Sequence, residues 1–127
     1  MDLQPAQRSA DVVSTWSKSA RAHHAPLLHG ATVTGEAARN HLSVRVGLWL
    51  DETGRVRQAR WRSDEAAMRE YAEAACSLLE ARSDPHLLDG DALRKAVGAP
   101  AHGHGECADL VAAAVHAALL QGALDSV

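Results

Sequence analysis

The feature that most constrains the fold of this chain is an alternating strand followed at once by a turn and a second strand. In residues 43–50 the apolar positions alternate with the others, as Val44, Val46, Leu48 and Leu50 against Ser43, Arg45, Gly47 and Trp49. Side chains of a strand point alternately to its two faces, so the pattern predicts a strand buried on one side. Residues 51–54 (Asp-Glu-Thr-Gly) provide a tight turn, and residues 55–62 predict the returning strand, with Ala59 and Trp61 on one face.

Weaker signals precede this hairpin. Ser9 predicts the N-cap of an amphipathic helix over residues 9–20. Residues 22–30 contain Pro26, Gly30 and three histidines and predict a solvated loop. Residues 32–34 give a short strand signal, which would add a third strand to the hairpin.

Three further helices are predicted after the hairpin. They begin at Ser63, which would cap the first of them, at Asp89 and at Cys107. The apolar stripes of the first and last are Ala67, Tyr71, Ala74, Ala75 and Leu78, and Cys107, Leu110, Val111, Ala114, Val115, Ala118 and Leu119. This order predicts an α+β fold, a three-stranded antiparallel sheet with helices packed on one face. The length of 127 residues predicts a single domain spanning residues 1–127.

Composition narrows the class of protein. A net charge of −3 gives no indication of a nucleic-acid or membrane partner, and the longest apolar run, residues 110–120, is shorter than the roughly 20 residues that span a bilayer. The first residues lack the pattern of a signal peptide, and the two cysteines form no local metal motif, so we expect a cytoplasmic protein. No nucleophile–base–acid order or phosphate loop is visible, and we therefore expect no enzyme activity.

Cys107 is the residue on which a function could depend. It falls in the first turn of the predicted last helix, where the helix dipole and free N–H groups favour the thiolate that binds metal or carries sulfur. His102 and His104 precede it in a His-x-His-x-x-Cys order that could chelate a metal. The alternative is a small buried thiol at the head of an apolar stripe, and a packing role is expected for Cys76.

The run Gly105-Glu106-Cys107-Ala108-Asp109-Leu110 and the apolar pattern after it resemble a known family. They are similar to the closing segment of the U-type iron–sulfur cluster assembly scaffolds (the IscU/NifU family), in which a His-Cys pair begins a long final helix. Residues 46–56 resemble that family's strand, acidic turn and strand, and residues 93–100 its short penultimate helix and proline-containing loop. The resemblance covers nearly the whole chain and implies a SufE/NifU-like fold.

The resemblance also implies where a cofactor would bind. Alignment on Gly54 puts the three cluster cysteines of the family at Asn40, Ala66 and Cys107, and its histidine at Glu106. A [2Fe–2S] cluster takes four ligands, usually thiolates, so the single Cys107 implies a cluster shared between the chains of a homodimer. A different metal set consists of Cys107, His41, Asp64 and Glu106. Its mostly oxygen and nitrogen ligands would suit one zinc or iron(II) ion.

The function implied by the resemblance is an accessory one in iron–sulfur cluster assembly. Cys107 would accept sulfur or supply a metal ligand, with His41 or His104 as a nearby base, and the partners would be a cysteine desulfurase or other assembly proteins. Two alternatives stay open: a mononuclear zinc protein using Cys107, His41 and Asp64, and a binding or regulatory module of this fold that has no cofactor. The binding surface of such a module would consist of Arg57, Arg60, Arg62, Trp49 and Trp61.

Overall fold

The structure, a computed structural model, describes residues 23–81, 84–98 and 105–125. The helix predicted over residues 9–20 lies outside these ranges, and so do His102 and His104. The described part of the chain contains no helix that is both long and apolar enough to cross a membrane.

The predicted hairpin is the centre of an antiparallel sheet in the order β1-β2-β3. The strands are β1 (Val33–Arg39), β2 (Leu42–Leu50) and β3 (Val56–Arg62), with a bulge where Trp49 and Leu50 meet β3. β1 extends beyond the residues 32–34 that predicted it. Its second half gives no strand signal because it contains small and charged residues of low strand propensity. All seven residues of β1 pair with β2, and this pairing stabilises the strand.

Three α-helices follow the sheet: α1 (Arg69–Glu80), α2 (Gly90–Val97) and α3 (Glu106–Asp125). The prediction that α1 begins at Ser63 is wrong. The Ser63 hydroxyl accepts a hydrogen bond from the Glu65 amide and donates one to the Ser43 carbonyl, so it fixes the loop after β3 instead of capping a helix. A single 3-10 turn (Ala66–Met68) then leads into α1. Asp89 caps α2 by accepting from the Ala92 amide.

The helices pack on one face of the sheet, which confirms the predicted α+β fold. The alternating residues Val44, Val46 and Leu48 of β2 lie in one buried cluster with Ala59 and Trp61 of β3 and the apolar residues of the helices. α3 lies against β1 at Gly35, where a Cβ atom would be 2.0 Å from the Ala114 carbonyl oxygen. On the other face, Leu28 and Ala31 contact the sheet at Gly47.

Candidate functional site

Cys107 is the second residue of α3, and its side chain has no exposed surface. It therefore lies in the first turn of the helix, directly after the exposed Glu106. The half-buried Glu65 is close enough to act on it electrostatically. Cys76 is equally buried in α1, in agreement with a packing role, and both cysteines are free.

The thiolate expected at Cys107 is not favoured. Burial raises the pKa of its thiol, and the carboxylates of Glu106 and Glu65 raise it further. Loss of water disfavours the charged form, and adjacent negative charges act in the same direction, so together they outweigh the attraction of a helix N-terminus. Cys107 in this conformation is a neutral thiol, which is a poor metal ligand and a poor nucleophile.

Tyr71 on α1 lies near Cys107. Its side chain is 2% exposed, and its hydroxyl has no hydrogen-bond partner among the described residues. Burial raises the pKa of Tyr71, and the neighbouring Cys107 adds to the shift. A buried hydroxyl without a partner costs about 1–3 kcal/mol, which makes this the polar atom of the region most in need of a partner.

Arg94 fixes the position of the first turn of α3. Its Nη1 donates to the Gly105 carbonyl at 2.9 Å and to Asp109 Oδ2 at 3.2 Å, and its Nη2 donates to Asp91 Oδ1 at 2.6 Å. These contacts tie α2 to the residues around Cys107. The first turn of α3 is therefore held against α2 by ion pairs at the surface of the protein.

The residues of the predicted metal set are not brought together. His41 is exposed in the turn between β1 and β2, Asp64 is exposed after β3, and Glu106 is exposed whereas Cys107 is buried. In the described ranges no three histidine, cysteine, aspartate or glutamate side chains converge as a metal ion requires. With a single buried thiol in the region, these residues do not fit a [2Fe–2S] cluster held by one chain.

A polar cluster that the sequence did not indicate lies between α1 and the edge of β3. Glu73 is fully buried, and it accepts hydrogen bonds from the His23 amide at 3.1 Å and from Trp61 Nε1 at 3.4 Å. The His23 ring contacts Glu73 through Nδ1 and Glu80 Oε1 through Nε2, the latter at 3.0 Å. The prediction of a solvated loop around His23 is therefore wrong at that residue, which is 16% exposed.

Glu80 completes this cluster, which we call the His23 cluster (His23, Glu73, Glu80, Arg60). Its Oε2 accepts from the Ala59 amide at 2.8 Å and from Arg60 Nη1 at 2.7 Å. Burial alone raises the pKa of Glu80, but the hydrogen bonds from Ala59, His23 and Arg60 outweigh it and hold the pKa below its usual value. The one sequence signal was Glu73 itself, a carboxylate within the otherwise apolar run of α1.

The predicted docking surface is smaller in the structure. Trp61 is buried in the core, and Arg60 forms an ion pair with Glu80, so neither side chain is available to a partner. Arg57 and Arg62 remain exposed on β3. Arg45 stands opposite Arg62 on β2, and a shallow depression there is lined by Glu36, Ser43, Val44, Arg45, Arg62, Ser63 and Asp64.

No protein-family model matches the chain, and no curated protein sequence matches it. The resemblance to U-type scaffolds therefore stays a prediction that depends on the residues quoted for it.

Proposed function

We propose that this chain is a partner-binding protein of iron–sulfur cluster assembly that does not itself hold the cluster. The assignment to that process depends on the resemblance around Cys107 and the hairpin. That the chain binds a partner and does not hold the cluster depends on one observation. Cys107 is completely buried beside two carboxylates, which keeps its thiol protonated.

The surface best suited to a partner is the pair of neighbouring arginines on the sheet face away from the helices. Arg45 and Arg62 face each other across β2 and β3, and both are exposed. Arg45 contacts Glu36 at 3.2 Å, whereas Arg62 has no ion pair with another described residue and can pair with a carboxylate of another protein. Arginine is suited to such contacts because its planar head binds a carboxylate with two hydrogen bonds. The partner favoured by this surface is acidic.

The first experiment tests cluster binding. The full chain is incubated anaerobically with ferrous iron and sulfide, beside Cys107→Ala, and bound iron and visible absorption are measured. We expect no iron beyond that bound by the variant. Iron and colour that depend on Cys107 would contradict the proposal and indicate a cluster shared between chains.

A second experiment tests partner binding to a purified cysteine desulfurase by titration calorimetry. Arg62→Glu should raise Kd several-fold and reduce its dependence on salt, because a charge at the contact has been reversed. Lys95→Glu is the control, since Lys95 is exposed on α2, away from this sheet face. Absence of binding by the unaltered chain, or equal effects of the two variants, would contradict the proposal.

One observation favours a second candidate, in which Cys107 accepts sulfur after the site opens. The Tyr71 hydroxyl near the thiol has no hydrogen-bond partner among the described residues, and a sulfur group added to Cys107 would offer it one. The deprotonated thiol would attack the outer sulfur of a cysteine persulfide on the donor protein. The sulfur–sulfur bond of the donor breaks, a new one forms on Cys107, and the donor cysteine leaves as a thiolate. Mass spectrometry after incubation with a desulfurase and cysteine would detect the added sulfur, and Cys107→Ser would lack it.

A further inference from the structure

Residues 23–25 form a strap along the open edge of β3. The Trp61 amide donates to the His23 carbonyl at 3.0 Å, and the Ala25 amide donates to the Trp61 carbonyl at 2.9 Å. The strap runs parallel to β3, which is the last strand in the order β1-β2-β3. An edge strand that lacks such cover presents unpaired backbone groups. The strap therefore satisfies the backbone N–H and C=O of Trp61 with hydrogen bonds. The Glu80 carboxylate accepts a hydrogen bond from the amide of Ala59.

The strap is fastened by the side chain of His23. One ring nitrogen faces a carboxylate oxygen of Glu73 and the other faces one of Glu80. A neutral imidazole has one N–H and one lone pair, so it can donate to only one of these carboxylates and turns a lone pair towards the other. The doubly protonated ring donates to both, which makes the protonated histidine the form that fits this site.

We propose that the strap of residues 23–25 is a pH-controlled latch, closed while His23 is protonated between Glu73 and Glu80 and opened when His23 loses that proton. Opening would free the N–H and C=O of Trp61 at the sheet edge. Without that proton, one of the two carboxylates would have no donor from the ring.

The other charged and titratable groups around the ring do not replace this control. Arg60 on β3 donates to Glu80 and keeps that carboxylate ionised, and the pKa of Glu80 is lowered accordingly. Cys76 on α1 is a neutral thiol, because burial raises its pKa. Protonation of Glu80 therefore weakens the latch only below the usual range of a carboxylate, whereas alkali weakens it through His23.

The latch can be followed by amide hydrogen exchange in the full-length chain, measured by NMR between about pH 5 and pH 8. The protection factor of the Trp61 amide corrects for the faster intrinsic exchange at high pH. We expect it to fall at least about tenfold as the pH rises, the size expected for losing a charged hydrogen bond. The amide of Val46, in the central strand, should keep its protection throughout.

Three variants make the result specific. His23→Gln should give low protection of Trp61 at every pH, and Glu80→Gln, which leaves the buried Glu73 contact in place, should reduce the pH dependence. His24→Gln is the matched control, because His24 belongs to the same strap. Its ring packs edge-on against Trp61, with 4.7 Å between the ring centroids. Protection that does not change with pH in the unaltered chain would overturn the proposal. So would equal effects of the His23 and His24 variants.

Discussion

Two buried ionisable residues illustrate how neighbours decide the consequence of burial. Glu73 has lost all contact with water, but donors surround it: the His23 amide, the His23 ring and Trp61 Nε1. Cys107 has lost contact with water equally, and its charged neighbours are the carboxylates of Glu106 and Glu65. Burial of a polar group is costly unless donors or opposite charges replace water, so Glu73 can serve as an anchor while Cys107 is kept neutral.

Glu73→Gln should lower the free energy of unfolding by about 1.5–3 kcal/mol, the usual value of a hydrogen bond to a charged group. The amide keeps the shape of the side chain but loses the charge that faces His23, and its NH₂ group meets donors. Urea unfolding followed by tryptophan fluorescence measures the change. Glu52→Gln, in the exposed hairpin turn, is the control and should stay within about 0.5 kcal/mol of the unaltered chain. A Glu73 variant as stable as this control would show that the carboxylate is not an anchor.

At the level of elements, β1 and α3 approach each other closely at Gly35. Gly35 lets the strand approach the helix backbone, and an added Cβ would lie 2.0 Å from the Ala114 carbonyl oxygen and 2.4 Å from the Ala118 nitrogen. Real atoms do not approach so closely, so a larger residue must push the helix away from the sheet. Both contacts are with backbone, which cannot rotate aside as a side chain can.

Gly35→Ala should therefore destabilise the protein by about 3 kcal/mol or more, at the upper end for an overpacked core. Gly105→Ala is the matched control, because a Cβ there would have only an ordinary contact of 3.6 Å with Arg94. Thermal unfolding followed by circular dichroism compares the two. Similar melting temperatures for both variants would mean that α3 can move from β1 at little cost.

The elements also show how far sequence patterns carry. The alternation in β2 and β3 predicted the hairpin, and the spacing of the small residues of α3 predicted its buried side, because both follow from the geometry of one element. The start of α1 was misplaced, since the Ser63 hydroxyl bonds to Ser43 twenty residues away. The His23 cluster joins residues fifty positions apart in the chain, and no local pattern contains such a contact.

At the scale of the whole molecule, two buried thiols and one buried phenol make the stability of the fold fall at alkaline pH. Burial raises the pKa of Cys76, Cys107 and Tyr71 in the folded state. In the unfolded chain the two thiols regain an ordinary pKa of about 8.5 and the phenol one of about 10. Above the unfolded value, the unfolded chain releases protons that the folded chain retains. The stability present below that pH is therefore lost as pH rises.

The free energy of unfolding should consequently fall as the pH rises above about 8.5, with a slope approaching about 1.4 kcal/mol per pH unit from Cys76 and a further contribution of the same sign from Cys107. Urea unfolding in the presence of a reductant measures this slope and prevents disulfide formation. The double variant Cys76→Ala, Cys107→Ala should lose most of the slope, although its stability near neutrality falls because two core side chains are smaller. A slope that persists in the double variant would assign the loss to other groups. A flat profile in the unaltered chain would mean that water reaches both thiols in solution, which would contradict the burial of Cys107 on which the proposed function depends.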